Sequence, residues 1–244
     1  MSEPDYRPRE FWEQRLSEQF DLRGTGETGL SLAYNRACYA LRRHVLDRTL
    51  AEVGIDPRDL GVLDVGCGTG FFTAYYLERG ARVTGIDIAP TSIARLSERH
   101  PAARFVLGDV SEVAIGGRYD IVNAFDVLYH ITDDAKWETA VRHLARAVGS
   151  RGAILLTDTF AERGGAAEHN RMRPLARYRE ILTREGLEIG TVYPTHVLLN
   201  RELGPWRFMN RLPGLLLALD RALLALGFGF DDAVSKLMIA RRRA

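Results

Sequence analysis

Apolar and polar positions follow two rhythms along the chain, and the change falls near residue 60. Before it, residues 8–20 and 31–53 have helical spacing. In the second stretch Leu32, Tyr39, Val45, Leu46 and Leu50 recur, with Arg42, Arg43 and Arg48 between them. A polar, glycine-containing loop from Asp21 to Gly29 separates the two. After residue 60, short apolar runs alternate with amphipathic stretches. The runs at 61–65, 82–86, 104–107, 119–125 and 153–157 predict buried strands, and the stretches at 71–79, 90–99 and 134–148 predict helices. In the last of these, Trp137, Val141, Leu144 and Val148 fall on one helix face. Such alternation predicts a mostly parallel sheet with helices on both faces, and ligands bind at the carboxyl ends of its strands.

Beyond residue 160 the pattern predicts a basic loop carrying Arg163, Arg171 and Arg173, a helix near 174–185 and a strand near 187–199. An apolar helical segment follows at 213–227, then a final strand at 234–240. The last two strands are expected to lie antiparallel at one sheet edge, with the helical segment inserted between them.

Composition narrows the class of protein. The 244 residues are 46% hydrophobic and 27% charged, which is ordinary for a globular chain and excludes a disordered or fibrous one. A net charge of +1 argues against a strongly basic nucleic-acid binder. The two cysteines, Cys38 and Cys67, cannot form a disulfide framework or a four-thiolate zinc site, which favours a reducing, cytoplasmic compartment. The opening residues lack the features of a signal peptide. No stretch has the ~18 uninterrupted apolar residues of a membrane span; the nearest, 215–230, is broken by Asp220 and Arg221.

The most informative stretch runs from Val62 to Phe71. A buried strand enters three glycines, Gly66, Gly68 and Gly70, and a helix begins at Phe71. Glycines there permit a tight turn and let a ligand approach the backbone. The next strand ends near Asp87, whose carboxylate can accept hydrogen bonds from both hydroxyls of a ribose. A dinucleotide fingerprint G-x-G-x-x-G would need glycine at 71, where the residue is Phe71.

At these residues the chain resembles the class I S-adenosylmethionine-dependent methyltransferases. Asp64-Val65-Gly66-Cys67-Gly68-Thr69-Gly70 is similar to their first motif, and Asp87 to the acidic residue ending their second strand. Gly108-Asp109-Val110 resembles the segment after the third strand. Tyr119 to Val122 and Asp126 to His130 resemble the fourth strand and the loop after it. The resemblance implies a Rossmann-like seven-stranded, mostly parallel α/β sheet with the last strand antiparallel. It implies an N-terminal helical lid (1–55) on a methyltransferase domain (56–244) that carries a helical insertion at about 203–230. It also implies S-adenosyl-L-methionine as cofactor. Asp87 would take the ribose hydroxyls, Asp109 the adenine amino group and Val110 a ring nitrogen through its N–H. Ile88 would pack on the adenine, and the Gly66–Gly70 backbone would lie under the methionine portion with Asp64 nearby. Phe125, ending the fourth strand, completes the set. Tyr34, Arg42, Arg43 and Trp12 are candidates to cover the cofactor or bind its carboxylate. Cys67 reads as a small packing residue rather than a nucleophile.

His130 is the first candidate catalytic group, since it follows the fourth strand and an imidazole suits proton transfer. His169, near Glu168, and His196 and Asp158 are further candidates, and Arg171 and Arg173 could hold an acidic substrate. No metal is expected, because Asp158 has only Glu162 as a carboxylate neighbour in sequence. Three readings of the acceptor compete: a small molecule, most simply methylated on oxygen; RNA; or none, in a non-catalytic S-adenosylmethionine-binding protein. Low net charge and the absence of an Asn/Asp-Pro-Pro-Tyr/Phe signature after the fourth strand weigh against nucleic acid. Eight leucines between 212 and 226 suggest an apolar, natural-product-like acceptor, with this helix as a cover over the acceptor side of the pocket or as a homodimer surface.

Overall fold

The computed structural model describes residues 6–113, 115–161, 169–200, 203–229 and 235–242. Five parallel strands form its centre: β1 (Gly61–Val65), β2 (Arg82–Asp87), β3 (Arg104–Leu107), β4 (Tyr119–Phe125) and β5 (Val148–Asp158). With β6 (Leu187–Pro194) and β7 (Lys236–Arg242) they make a seven-stranded sheet in the order β3-β2-β1-β4-β5-β7-β6, in which β7 runs antiparallel to both neighbours. The expected antiparallel edge is therefore present, with the last strand inserted between β5 and β6.

Strand alternation divides the core. Leu63 and Val65 face α5 (Asp134–Ala147) and α6 (Leu175–Arg184), where Trp137, Leu144, Tyr178 and Leu182 are buried. Val62, one residue before Leu63, faces the other side. There it meets α2 (Leu32–Glu52) and α3 (Phe71–Leu77) through Leu46, Leu50 and Tyr76. The helix α4 (Pro90–Arg99) packs beside β2 and β3.

Two boundaries differ from the hydrophobic pattern. β5 begins at Val148 rather than 153, because the chain passes from α5 directly into the strand. A register shift between Tyr119 and Ile121 accommodates the extra residues, beside the close approach of Gly152 to the Tyr119 carbonyl. β6 stops at Pro194 rather than 199. The N–H groups of Val197, Leu198 and Leu199 donate to the carboxylate of Asp220 instead of to a neighbouring strand.

Asp220 belongs to α7 (Pro213–Ala225), which follows a 3-10 segment at Gly204–Arg211. It is fully buried, so the charge that interrupts the leucine run is an anchor and not a solvated break. The helix packs on α2 in a small third cluster that includes Tyr34, Cys38, Leu41, Leu199 and Leu216. Among the described residues no helix is long and apolar enough to cross a membrane. The expected start of β7 at Val234 lies outside the described residues.

The N-terminal helix α1 (Pro8–Glu18) is tied down by polar side chains. Glu13 accepts from the Thr91 N–H (2.9 Å) and hydroxyl (2.7 Å), which satisfies a donor at the start of α4. Arg15 donates to the carbonyls of Gly24 (2.7 Å) and Gly26 and so fixes the 21–29 loop beneath the helix.

Candidate active site

β1 enters the glycine loop at the carboxyl end of the sheet. Gly66 has a φ of +66°, and a Cβ there would overlap Val127, so both backbone and space require glycine. At Gly68 (φ +52°) a Cβ would stand 2.7 Å from the Thr25 methyl. The N–H groups of Gly66 and Cys67 converge on the Ile86 carbonyl at 2.8 and 3.2 Å. Asp87 completes the brace: its Oδ2 accepts from the Gly68 N–H at 2.7 Å and its Oδ1 from the Ala89 N–H at 2.9 Å. Burial raises the pKa of this carboxyl, and the backbone donors oppose the rise.

A cavity of about 770 Å³ opens over this loop. Gly66, Cys67 and Gly68 line it from β1, Asp87 and Ile88 from β2, and Asp109 and Val110 from the turn after β3. Phe125, Asp126 and His130 line it from the end of β4. Trp12 and Leu16 close it from α1 and Tyr6 from the residues just before that helix, and Phe71 and Phe72 add apolar wall from α3. Asp109 is pre-set by its own turn, with Oδ1 accepting from the Ser111 N–H (2.8 Å) and hydroxyl (2.7 Å).

His130 lies in a short 3-10 turn, Leu128–His130, beneath Trp12, with ring centroids 4.9 Å apart and edge to face. Its Nδ1 is 3.1 Å from the His169 carbonyl, which can only accept, so Nδ1 carries the proton and Nε2 the lone pair in the neutral ring. Burial lowers its pKa to about 4, so the ring is neutral at pH 7. His169 stacks on His130 at 5.6 Å and on Phe11 at 5.0 Å, behind the cavity wall.

Asp126, which the sequence places in the segment after the fourth strand without a site role, lines the cavity. It has a φ of +58°, a conformation that costs a non-glycine residue about 1–3 kcal/mol and that clusters at functional sites. Three contacts hold it. Its N–H donates to the Thr157 hydroxyl at 2.8 Å, that hydroxyl donates to Oδ1 at 2.9 Å, and Arg42 pairs with Oδ2 at 2.7 Å. A carboxylate ending a parallel strand was the signal available for it. Thr25 and Tyr39 also line the cavity, joined by a 2.7 Å bond from the Tyr39 hydroxyl to the Thr25 hydroxyl. No local pattern singles them out, because a tyrosine on an apolar helix face reads as core.

Several proposed site residues stand elsewhere. Asp64 is buried below the loop, where it accepts from Thr73 (2.6 Å) and Asn123 (2.8 Å). Burial pushes its carboxyl up to about 6. Gly70 caps α3 against Leu96. Tyr34 lies under α7, its hydroxyl accepting from the Asn200 N–H at 2.9 Å, and Arg42 reaches the cavity only through Asp126. Asp158 is a core carboxylate that accepts from the Tyr178 hydroxyl at 2.6 Å, and burial raises it to about 6. His196 is buried away from the cavity, its Nδ1 3.0 Å from the Thr195 hydroxyl. Arg171 and Arg173 both pair with Asp134, at 2.6 and 3.0 Å, so they tie the loop to α5 rather than offer an anion site. Arg43 is exposed near Glu78. Arg163, Glu162 and Glu168 lie outside the described residues.

The expected cover is also corrected. None of residues 203–229 lines the cavity; α7 lies against α2, and α1 closes the pocket. Among the described residues no group of three or more His, Cys, Asp or Glu side chains could hold a metal ion.

The geometry fits an adenosine-bearing ligand. The glycine loop puts backbone at the cavity wall, Asp87 is held at the cavity edge, and Phe71, Phe72 and Phe125 make part of the wall apolar. Comparison with known proteins agrees. Residues 62–152 match the model of a methyltransferase domain. A malonyl-[acyl-carrier protein] O-methyltransferase of Serratia marcescens is 30% identical over 184 residues, which cover 68% of this chain and 71% of that protein. A ubiquinone biosynthesis O-methyltransferase of Methylobacterium sp. (strain 4-46) is 38% identical over 113 residues, 43% of each chain. This second relative is thus matched over less than half its length. Magnesium protoporphyrin IX methyltransferase from Synechocystis PCC 6803, crystallised with bound S-adenosylmethionine, superposes with a TM-score of 0.61 at 19% identity. The match covers 96% of this chain and 95% of that one, a likeness of fold.

Proposed function

The chain belongs to the class I S-adenosylmethionine-dependent methyltransferases, and from that premise we propose that it methylates an oxygen of a small, largely apolar acceptor. The observation that carries this reading is one continuous cavity with two kinds of wall. Asp87, Asp109 and the glycine loop supply hydrogen-bonding groups at one part of it. Trp12, Phe71, Phe72 and Phe125 supply apolar surface at another. The two relatives named above are both O-methyltransferases, and their names give different acceptors, so they support the reaction type and leave the acceptor to experiment.

S-adenosylmethionine supplies a methyl group already activated on a sulfonium, so the protein's task is chiefly alignment. In this reading Asp87 accepts the two ribose hydroxyls with the lone pairs that Gly68 and Ala89 leave. Asp109 takes the adenine amino group, the Val110 N–H a ring nitrogen, and Ile88 covers the ring. Phe125 and the Gly66–Gly68 backbone bound the methionine end, with Asp64 holding the strand beneath. His130 accepts from the acceptor hydroxyl through Nε2 and orients it, and Trp12 and α1 exclude water. A ring whose pKa is about 4 is a weak base, so positioning is its larger part. The two free, buried thiols suit a cytoplasmic setting.

Calorimetry with S-adenosylmethionine and with NAD tests the first step; binding of NAD alone overturns it. Incubation with methyl-labelled cofactor and a metabolite extract, read by mass spectrometry, then identifies the acceptor. Label found in RNA, with strongly salt-dependent RNA binding, would favour the competing nucleic-acid reading. Cofactor binding with no labelled product in any fraction would favour a non-catalytic binding protein.

A further inference from the structure

The segment after β6 presents a surface that the fold itself does not use. Leu216 and Leu224 turn toward α2, while Leu212, Leu215, Leu219 and Leu226 share the opposite, solvent side of α7. Trp206, Phe208 and Leu226 expose 62%, 54% and 74% of their surfaces, values unusual for side chains of this size. Trp206 and Phe208 lie 6.0 Å apart in the 3-10 segment just before the helix and extend the same apolar stretch of chain.

Charge decides what covers it. Within residues 203–229 the ionisable side chains are Arg207, Arg211, Arg221 and Asp220. Asp220 is fully buried on the 197–199 backbone, so every exposed charge between residues 203 and 229 is an arginine; in sequence Glu202 precedes that stretch and Asp231 and Asp232 follow it. Arg48 of α2 adds a further positive charge, since it and Arg221 both help to depress the pKa of His44 after burial has done so. Asp47, the neighbouring carboxylate, pairs with Arg79 at 2.7 Å.

A second copy of the chain is a poor match for this face. A two-fold interface sets a patch against itself and would bring these arginines together with no exposed carboxylate of the segment to neutralise them. An anionic bilayer fits both features. The leucines and aromatics enter the headgroup–acyl boundary, and the arginines reach the phosphates with their stems along the apolar surface. We propose that residues 204–228 form a docking surface for an anionic membrane, on which Trp206, Phe208 and the exposed leucines insert between arginines 207, 211 and 221. The proposal does not depend on the identity of the methyl acceptor, because it is read by partition and not by turnover.

The test uses the full chain with vesicles of phosphatidylcholine alone and of phosphatidylcholine mixed with phosphatidylglycerol. Co-sedimentation with the mixed vesicles is expected to exceed that with neutral ones and to weaken as salt rises. Tryptophan fluorescence should shift to the blue on binding, and Trp206→Phe should abolish the shift. Arg207→Glu/Arg211→Glu/Arg221→Glu should weaken partition at least about tenfold, since each basic residue near such a surface contributes about a fivefold factor. Leu219→Asp, at a solvent-facing position, should weaken binding at either salt with an unchanged circular dichroism spectrum. Absent binding, equal binding to both vesicle types, or unchanged partition of the charge-reversed variant overturns the proposal. So does a dimer in sedimentation velocity that Leu219→Asp converts to monomer, which would make a second copy the occupant.

Discussion

Replacing Asp87 by alanine separates two roles that the structure gives to one carboxylate. Without ligand, Asp87 braces the glycine loop through Gly68 and Ala89, and its burial opposes its own ionisation. An Asp87→Ala variant leaves two N–H groups without their acceptor, at about 1–3 kcal/mol each, and relieves part of that by removing a desolvated charge. A net loss of about 1–3 kcal/mol follows, which lowers Tm by roughly 2–12 °C at about 2–4 °C per kcal/mol for a chain of this size. Cofactor binding loses two charge-assisted hydrogen bonds besides, at about 1.5–3 kcal/mol each, so the Kd for S-adenosylmethionine should rise at least about tenfold. Asp87→Asn should not rescue it, because its NH2 would face a backbone donor at one of the two contacts. Thermal unfolding of the free protein and calorimetry with the cofactor read the roles separately. An unchanged Kd would show that the ribose is held elsewhere, and an unchanged Tm would refute the brace.

Further outcomes follow from single sites. Gly66→Ala must place a Cβ at positive φ against Val127, so it should cost about 1–3 kcal/mol and lower Tm by several degrees in a melting experiment; no change would refute the strained-turn argument. The His130 pKa, about 4 when folded against an ordinary 6.5, means that the native state binds fewer protons in that window. Its contribution is complete above pH 6.5 and lost as pH falls toward 4, by about 2 kcal/mol once the cavity-facing side of the ring is allowed for. His130→Asn, in urea titrations across that range, should remove the loss. Turnover should be indifferent to a chelator, and loss of activity restored by magnesium would refute this. Trp12→Ala should raise KM or lower kcat more than it changes Tm, because Trp12 covers the cavity and its ring contact with His130 is worth only about 0.5–1.5 kcal/mol.

The parallel half of the fold was legible in the sequence because its signals are local. A buried strand of five residues, a glycine turn and an acidic strand end each declare themselves within a few positions, and Asp87, Ile88, Asp109 and Val110 do meet at one cavity. What was not legible depended on direction rather than type. Helical spacing marks Tyr34, Tyr39 and Arg42 as parts of α2 but not the neighbours each will face. Tyr39 reaches the cavity, Arg42 reaches it through Asp126, and Tyr34 turns under α7. Asp64 illustrates the same limit within the best motif, since the alternation of β1 sends its side chain under the loop to Thr73 and Asn123.

The leucine-rich insertion failed as a cover for a reason that lies in one residue. An aspartate inside an apolar run reads as an interruption, and the run on either side of it leaves the helix free to lie apolar face inward over the pocket. Burial of Asp220 requires donors to match a carboxylate, and three successive N–H groups at 197–199 supply them at the end of β6. Those bonds fix the face of α7 that turns inward, bring Leu216 against α2, and leave Leu215 and Leu219 in water. The exposed leucines are thus a consequence of where the one buried charge found its partners. That is why a surface too apolar for solvent persists on this side of the molecule while α1, held by Glu13 and Arg15, closes the cavity on the other helix's behalf.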